Sequence, residues 1–348
     1  MALGTDHIDN TGAIGGSEGF IPEIWEDEVV AQYKANLVVG NLVSKIMHTG
    51  KKGDTIWLPS ITDRKTAVPS AKAEDTQVTL VPAAAGEVQV SINKHYEFSF
   101  LYEDLTALQA LDSLRRHYTD HAGYALARQV DRDVIAAFQD MQGGANFDAA
   151  VIGSDGSTAW DGTANSNTGN AAALTDAGIR KIIQTLDDED NPMSDRHLVI
   201  PPVERNNIMG LARFTEQAFV GETSGSNTIR NGIIGQLYGV DVGISTNALY
   251  IHTDDSDGST AHMWTSTALT TTGTDDIGTA YNIAGTDAAR GRIALLFHRD
   301  AVVHAEQQTI RTQTQYKQEY LGDLFTADCV YGVAEKRDYA AVPIAVAQ

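Results

Sequence analysis

Cysteine is almost missing from this chain: Cys329 stands alone among 348 residues. One thiol cannot close an internal disulfide, and no metal-ligand spacing surrounds it, so a stapled secreted fold is not indicated. Long hydrophobic runs are missing too. No stretch reaches the eighteen apolar residues a spanning helix needs, so no membrane segment is expected. The first residues, Met1-Ala2-Leu3-Gly4-Thr5-Asp6, carry neither a basic start nor an apolar core, so no signal peptide is expected. The expectation is a soluble protein made in the cytoplasm. Positive charge is scarce: 25 Lys and Arg against 46 Asp and Glu leave a net charge of -21. Nucleic-acid binding relies on basic groups displacing counterions from phosphates. Adjacent basic pairs such as Lys51-Lys52 and Arg115-Arg116 stand apart and form no patch. Sequence-specific DNA recognition is therefore not expected, whereas solubility at high concentration is.

Catalytic signatures are equally thin. Gly15-Gly16-Ser17-Glu18-Gly19 has the letters of a nucleophile elbow, but it lies in a flexible arm and lacks the strand-to-helix setting that holds the strained turn. His117 and His121 are four apart on a helical stretch, yet Tyr118 stands where a metalloprotease helix needs its Glu, and no third ligand is evident. Asp254-Asp255-Ser256-Asp257-Gly258 has the look of a calcium loop, but Trp264 occupies the position of the bidentate Glu. A polar turn, with at most weak cation binding at Asp254–Asp257, is the better account. Asp187-Asp188-Glu189-Asp190 reads as a solvated turn at a helix end. Neither phosphate-cradling glycine motif occurs. The expectation is a protein that is not an enzyme, with no catalytic, cofactor-binding or metal-ligating residues and no cofactor.

What is present is long-range pattern. Hydrophobic residues form 42% of the chain and charged residues 20%, a balance that supports packed cores rather than disorder. Residues 1–19 are rich in Gly, Asp and Thr and read as a flexible arm. Phe20 to Met47 reads as helical. From Gly86 to Phe100, Val88, Val90, Ile92, Tyr96, Phe98 and Phe100 alternate with polar residues, and Lys94 alone interrupts. A single strand of that length reaches roughly 45 Å. Thr55 to Pro59 can pair with it, with residues 62–85 as a mobile tip. An isolated hairpin is unstable in water, so such an arm needs a neighbour, which points to an oligomer.

A long helix is predicted from about Asp104 to Gln142. Leu111, Leu114, Tyr118, Ala122, Leu126, Val130, Val134, Phe138 and Met141 recur every three or four positions, with Arg128, Asp131, Arg132 and Asp133 opposite. Asp104 is its candidate cap and Gly143-Gly144 its stop. Ala145 to Ala172 reads as an exposed loop. A βαβ-like cycle follows, with a helix capped by Thr175, a buried strand His197–Ile200, a helix through Ile208 and Leu211, and a strand at Val240–Ile244. Thr253 to Asp287 reads as a further polar insertion. Ile293–Phe297 signals a buried strand. The remainder, to Val346, is mostly extended, with Phe325, Ala327, Cys329, Tyr331 and Val333 on one face. The class is α+β.

This order of elements resembles the Hong Kong 97-type fold of tailed-bacteriophage major capsid proteins, with an N-arm, an extended β-hairpin loop, a long spine helix and a mixed α/β axial domain. Phe20-Ile21-Pro22-Glu23-Ile24-Trp25 and Lys51-Lys52-Gly53-Asp54-Thr55-Ile56 resemble the N-arm and the base of the extended loop. Leu186 to Pro192 followed by Arg196 to Pro202 resembles the family's helix, acidic turn and strand. Gly232 to Val242, closing at Ser245-Thr246-Asn247, is similar to its glycine-punctuated strand. Phe297 to Val302 and Tyr331 to Ala334 are similar to its return strands. The likeness covers nearly the whole chain and looks nearest to coat proteins of short-tailed phages.

The resemblance implies residues 1–48 as the N-arm and 49–98 as the extended loop. It implies 99–144 with 300–325 as a peripheral domain, and 145–299 with 326–348 as an axial domain. It further implies self-assembly through pentamers and hexamers into an icosahedral head, in the virion after assembly in the host cytoplasm. Expected partners are other copies, a scaffolding protein, a portal, a possible decoration protein and enclosed DNA held without sequence-specific contacts. Some relatives join Lys to Asn between subunits, but Lys65, Lys72 and Lys94 read here as ordinary surface charges. An encapsulin-type compartment shares the fold and is the alternative; a hydrolase is a distant one, and an adhesin or tail protein would show β-repeats instead.

Overall fold

The computed structural model describes residues 38–47, 53–61, 71–72, 74–75, 77–78, 85–103, 112–139, 141, 151–158, 160, 171–211, 235–253, 262–265, 273–274, 280–281 and 290–346. Helices α1 to α4 are Val39–Leu42, Asp112–Ala136, Asp176–Asp188 and Pro202–Met209. Strands β1 to β5 are Ser44–Met47, Thr55–Ile61, Ala85–Ser91, Lys94–Glu103 and Arg196–Ile200. Strands β6 to β11 are Gln236–Leu237, Val240–Ile244, Tyr250–Thr253, His262–Thr265, Gly273–Thr274 and Ala280–Tyr281. Strands β12 to β15 are Arg290–His298, Val302–Lys317, Gly322–Glu335 and Ala341–Val346. None of the described helices is long and apolar enough to cross a membrane.

Two larger sheets organise the molecule. The first has the order β1-β13-β14-β4, and the second runs β6-β7-β5-β12-β8-β9 with β15 on β12. In the second sheet β5 and β7 are parallel and joined through α4, a βαβ unit as the sequence pattern predicts. β15 takes one edge of β12, while β5 and β8 share the other end to end.

The unbroken apolar run of β12 follows from burial on both faces. Ile293, Leu295 and Phe297 face a core built with Val134, Ile135, Phe138 and Met141. Ala294 and Leu296 face the opposite core, with Ile179, Ile182 and Leu186 of α3. Thr175 caps α3, its hydroxyl accepting from the Gly178 amide at 3.1 Å.

Helix α2 couples the two sheets. Its 25 residues span about 37 Å at 1.5 Å per residue. Ala122 and Leu126, in its first half, pack on Phe325, Ala327, Cys329 and Tyr331 of the first sheet. Its last turns and the residues beyond them pack on the second sheet. The expected cap Asp104 and stop Gly143-Gly144 lie outside the described residues.

Several expectations need correction. The long strand predicted over Gly86–Phe100 is two strands, β3 and β4, parted at Ile92-Asn93. The alternation of burial continues across the break, but the hydrogen-bonding partner changes: β3 pairs with β2 and β4 with β14. A period of two reports faces, not partners, so the pattern concealed the exchange. Ser44–Met47, predicted as helix, is a strand because it pairs in parallel with Val303–Glu306 of β13. The loop predicted over Ala145–Ala172 is not simply exposed: Val151, Ile152, Trp160 and Ala171 are buried, and Ile152 bridges to Ile344. The insertion predicted over Thr253–Asp287 contributes β9 to the second sheet, with Trp264 buried.

The first sheet is covered on both sides. Opposite α2, Val303 and Ala305 pack with Val90 and with Ile56 and Leu58 of the β2–β3 hairpin. That contact requires a glycine. A Cβ at Gly332 would sit 2.3 Å from the Ser91 carbonyl oxygen and 3.0 Å from the Ile92 Cα. Gly332→Ala is therefore expected to push the hairpin off the sheet and cost about 1–3 kcal/mol, by analogy with overpacked cores. Denaturant unfolding checks this; an unchanged midpoint contradicts the close approach.

Candidate assembly interface

Among the described residues, no group of three or more His, Cys, Asp or Glu could hold a metal. His121 is exposed and meets Phe98 edge-on at 5.9 Å, while the His117 side chain lies outside the described residues. The Gly15–Gly19 and Asp254–Gly258 motifs also lie outside them, as do Lys51-Lys52 and Lys65.

The acidic run Asp187–Asp190 closes helix α3 in a turn with Asp187, Asp188 and Asp190 exposed, as the sequence predicts, while Glu189 is buried. Its chain wraps a buried guanidinium: Arg196 pairs with Asp187 at 2.7 Å and donates to the Asn191 and Pro192 carbonyls at 2.8 and 2.7 Å. Asn191 in turn donates to the Tyr339 carbonyl at 2.8 Å, tying the turn to the C-terminal segment. The arrangement fastens backbone and presents no carboxylate dyad.

A second polar cluster sits where α2 meets both halves of the fold. Asp131, assigned by its spacing to the polar side of the helix, is only 2% exposed. One carboxylate oxygen accepts from the Gly40 amide at 2.8 Å and the other from the Asn247 side chain at 3.0 Å. The Asn247 oxygen accepts from Arg128 at 3.4 Å and Arg132 at 3.3 Å. Burial raises the Asp131 carboxyl above its ordinary range, and these two donors counter part of that shift. Gly40, the spine helix and the Ser245-Thr246-Asn247 turn are thus locked at one point. Helical periodicity could not find this joint, because it ranks Asp131 as solvent-facing. The turn it meets was visible as a motif, but its partner was not.

Lys94 is likewise no ordinary surface charge. Its ammonium lies 3.3 Å from Asp133, which also accepts the Tyr331 hydroxyl at 2.6 Å. Lys94 therefore breaks the apolar alternation because it ties β4 to α2. Farther out, Arg311 grips Asp328 through two bonds of 3.1 and 2.9 Å, and Gln308 adds a third at 2.7 Å. Arg311, with Gln308 and His95, holds the Asp328 carboxyl below its usual range.

Beyond these anchors the surface is rich in extended, uncovered edges. Residues 309–316 of β13 are exposed throughout, and the turn it shares with β14 presents Tyr320 and Leu321 at 62% and 64% exposure. The β2–β3 hairpin forms its own two-stranded sheet, with Trp57 53% exposed on its outer side. Large apolar groups on edges and hairpins are surfaces made for partners.

Comparison with known proteins agrees with this geometry. The sequence profile described as phage capsid protein matches residues 34–334. The chain belongs to the phage capsid protein family. Its fold is the α+β, Hong Kong 97-type capsid fold. Among solved structures it is similar to the capsid of cyanophage P-SCSP1u, at 17% identity and TM-score 0.66 over 98% of this chain and 97% of that one. A chain from Mycobacterium phage Che8 is 20% identical, with TM-score 0.62 over 94% and 97% of the two chains. The mature capsid of bacteriophage PhiM1 gives 14% identity and TM-score 0.61 over 98% and 97%. Comparison with curated proteins finds no match.

Removing the joint's carboxylate tests its weight. Asp131→Ala leaves the Gly40 amide without its acceptor and removes one of the two acceptors of the Asn247 amide, and a buried unsatisfied donor costs about 1–3 kcal/mol. The expected loss is about 2–4 kcal/mol in the unfolding free energy of the isolated subunit, read by urea titration. A loss below about 0.5 kcal/mol, the size of an ordinary surface substitution, contradicts the joint.

Proposed function

We infer that this phage capsid family chain is a major capsid subunit that assembles through pentamers and hexamers into an icosahedral head around phage DNA. The observation that carries this reading is the pair of projecting hairpins. β2–β3 stands as a two-stranded sheet, and the outer half of β13–β14 exposes both apolar and edge groups. The two-stranded β2–β3 sheet is marginal in water by itself, and the outer half of β13 leaves one edge of its sheet open. They gain stability by lying on other copies, and many modest contacts of this kind close a shell by avidity.

In this reading the β2–β3 hairpin with residues 62–84 is the extended loop, and residues 1–48 are the N-arm. The peripheral domain is α2 with the first sheet, including β14 in full. The axial domain is built on the second sheet and packs around the pentamer and hexamer centres. The net charge of -21 keeps the inner wall from adhering to DNA, which is held by confinement rather than by sequence. A scaffolding protein, a portal and a decoration protein are the further partners of such a subunit, assembled in the host cytoplasm and resident in the virion. The family match and the phage capsids among its structural neighbours favour this reading over an encapsulin-type compartment.

Deletion of Ala67–Ala84 tests it. The shortened chain is expected to keep the circular dichroism of the intact subunit while electron micrographs show few or no closed particles. Normal particles from the shortened chain contradict the role given to the extended loop. Failure of the intact chain, co-expressed with its neighbouring genes, to form any shell contradicts the function itself.

A further inference from the structure

One buried group is used by none of the contacts above. His304 is 7% exposed, and neither ring nitrogen has a hydrogen-bond partner among the described residues. Leaving both nitrogens of an imidazole unsatisfied is costly, and native structures rarely tolerate it without a reason. The ring stacks obliquely on Tyr331 at 5.4 Å and lines a cleft of about 220 Å³. The cleft lies between α1, α2 and the face of the first sheet, with Asp131, Glu306 and Lys45 among its walls.

The chemistry of the cleft selects its occupant. Burial, reinforced by Lys45, pushes the imidazole down to about 4, so at neutral pH the ring is uncharged with one donor and one acceptor. An anion would meet Asp131 and Glu306, and a cation would meet Lys45. A neutral group that both donates and accepts, on an apolar stem to pack against Val130 and Ile310, meets neither conflict. A hydroxyl or carboxamide side chain has those properties.

The position of the cleft indicates where that side chain comes from. β1 covers the outer edge of β13 only as far as Glu306, and among the described residues no strand takes that edge farther out. Gln308 and Ile310 belong both to this open edge and to the cleft. Gln307 to Lys317 contains two basic residues and no acidic one, in a chain of net charge -21. Arg311 is already paired with Asp328, so the edge offers one further base, Lys317, and no acidic group to repel the acidic surface of another copy, and an open edge recruits extended backbone.

We propose that this cleft receives a neutral hydroxyl- or carboxamide-bearing side chain from a neighbouring copy, whose extended backbone lies along the β13 edge. The proposal rests on the shell-subunit reading. It makes His304 a group that is unfavourable in the free subunit and favourable in the assembly.

That opposition of sign supplies the test. His304→Phe removes both polar atoms in similar volume, His304→Leu does so with a smaller side chain, and His304→Gln restores a donor and an acceptor. Thermal unfolding of the free subunit is expected to be unchanged or raised by Phe or Leu. Dissociation of purified particles in urea is expected to move to lower concentration, with the contact roughly tenfold weaker, and Gln is expected to recover most of the loss. Particles that resist urea as well with Phe and Leu as with His304 overturn the proposal. A side-chain-resolution map of the particle provides the second reading. A neighbour's side chain against His304 supports the proposal, and occupation of the cleft by the same chain's own residues or by a free small molecule overturns it. Absence of particles from the unaltered chain removes the shell reading and this inference with it. Intact particles that are indifferent to His304 remove the inference alone.

Discussion

The subunit depends on one helix having to bury two different surfaces. α2 lays Ala122 and Leu126 on the first sheet and sends Val134, Ile135 and Phe138 into the second. No rotation of the helix about its axis satisfies one contact without disturbing the other, since interiors are packed too densely to deform gradually. The Asp131 joint fixes the same relationship with polar contacts, where Gly40 and Asn247 converge on one carboxylate. Hydrophobic burial supplies the magnitude of this coupling, and the buried hydrogen bonds supply its angle.

With the two sheets held rigidly, the remaining strands are free to project. β2–β3 leaves the back of the first sheet at Gly332, and past Arg311 β13 continues as the exposed edge strand of the β13-β14-β4 sheet. Each carries exposed apolar groups, Trp57 on the first and Ile310, Tyr316, Tyr320 and Leu321 on the second. The division of labour follows from this: a frame stable by itself, and arms whose stability is completed by other copies. A shell subunit must be soluble before assembly and cohesive after it. An acidic surface with a β13 edge free of acidic residues satisfies both demands.

Much of this was legible in the sequence where a pattern reports burial directly. Ile293–Phe297 reads as a strand buried on both faces because five apolar residues in a row allow little else at that length. The same holds for the alternation from Phe325 to Val333 and for the Thr175 cap. The pattern failed where structure depends on which element is the partner. Gly86–Phe100 keeps one alternation while changing sheets, and Ser44–Met47 becomes a strand only because β13 offers an edge. Asp131 and Lys94 were misjudged for a related reason. A charge on a helix or strand is read as facing solvent, unless its distant partners are known. His304 carried no signal, since its isolation is purely a tertiary fact.

The central claim is that the frame is complete in one chain and the arms are not. Backbone hydrogen exchange, measured on the free subunit and on the assembled particle, compares the two directly. The account predicts that amides of β12, β5 and α3 exchange slowly and alike in both states. It predicts that amides at the free end of the β2–β3 hairpin, Ser60, Ile61, Ala85 and Gly86, and the open-edge amides of Thr309–Lys317 exchange fast in the free subunit and become strongly protected in the particle. Slow exchange of these amides in the free subunit would contradict the account, because arms already stable alone have no need of a neighbour.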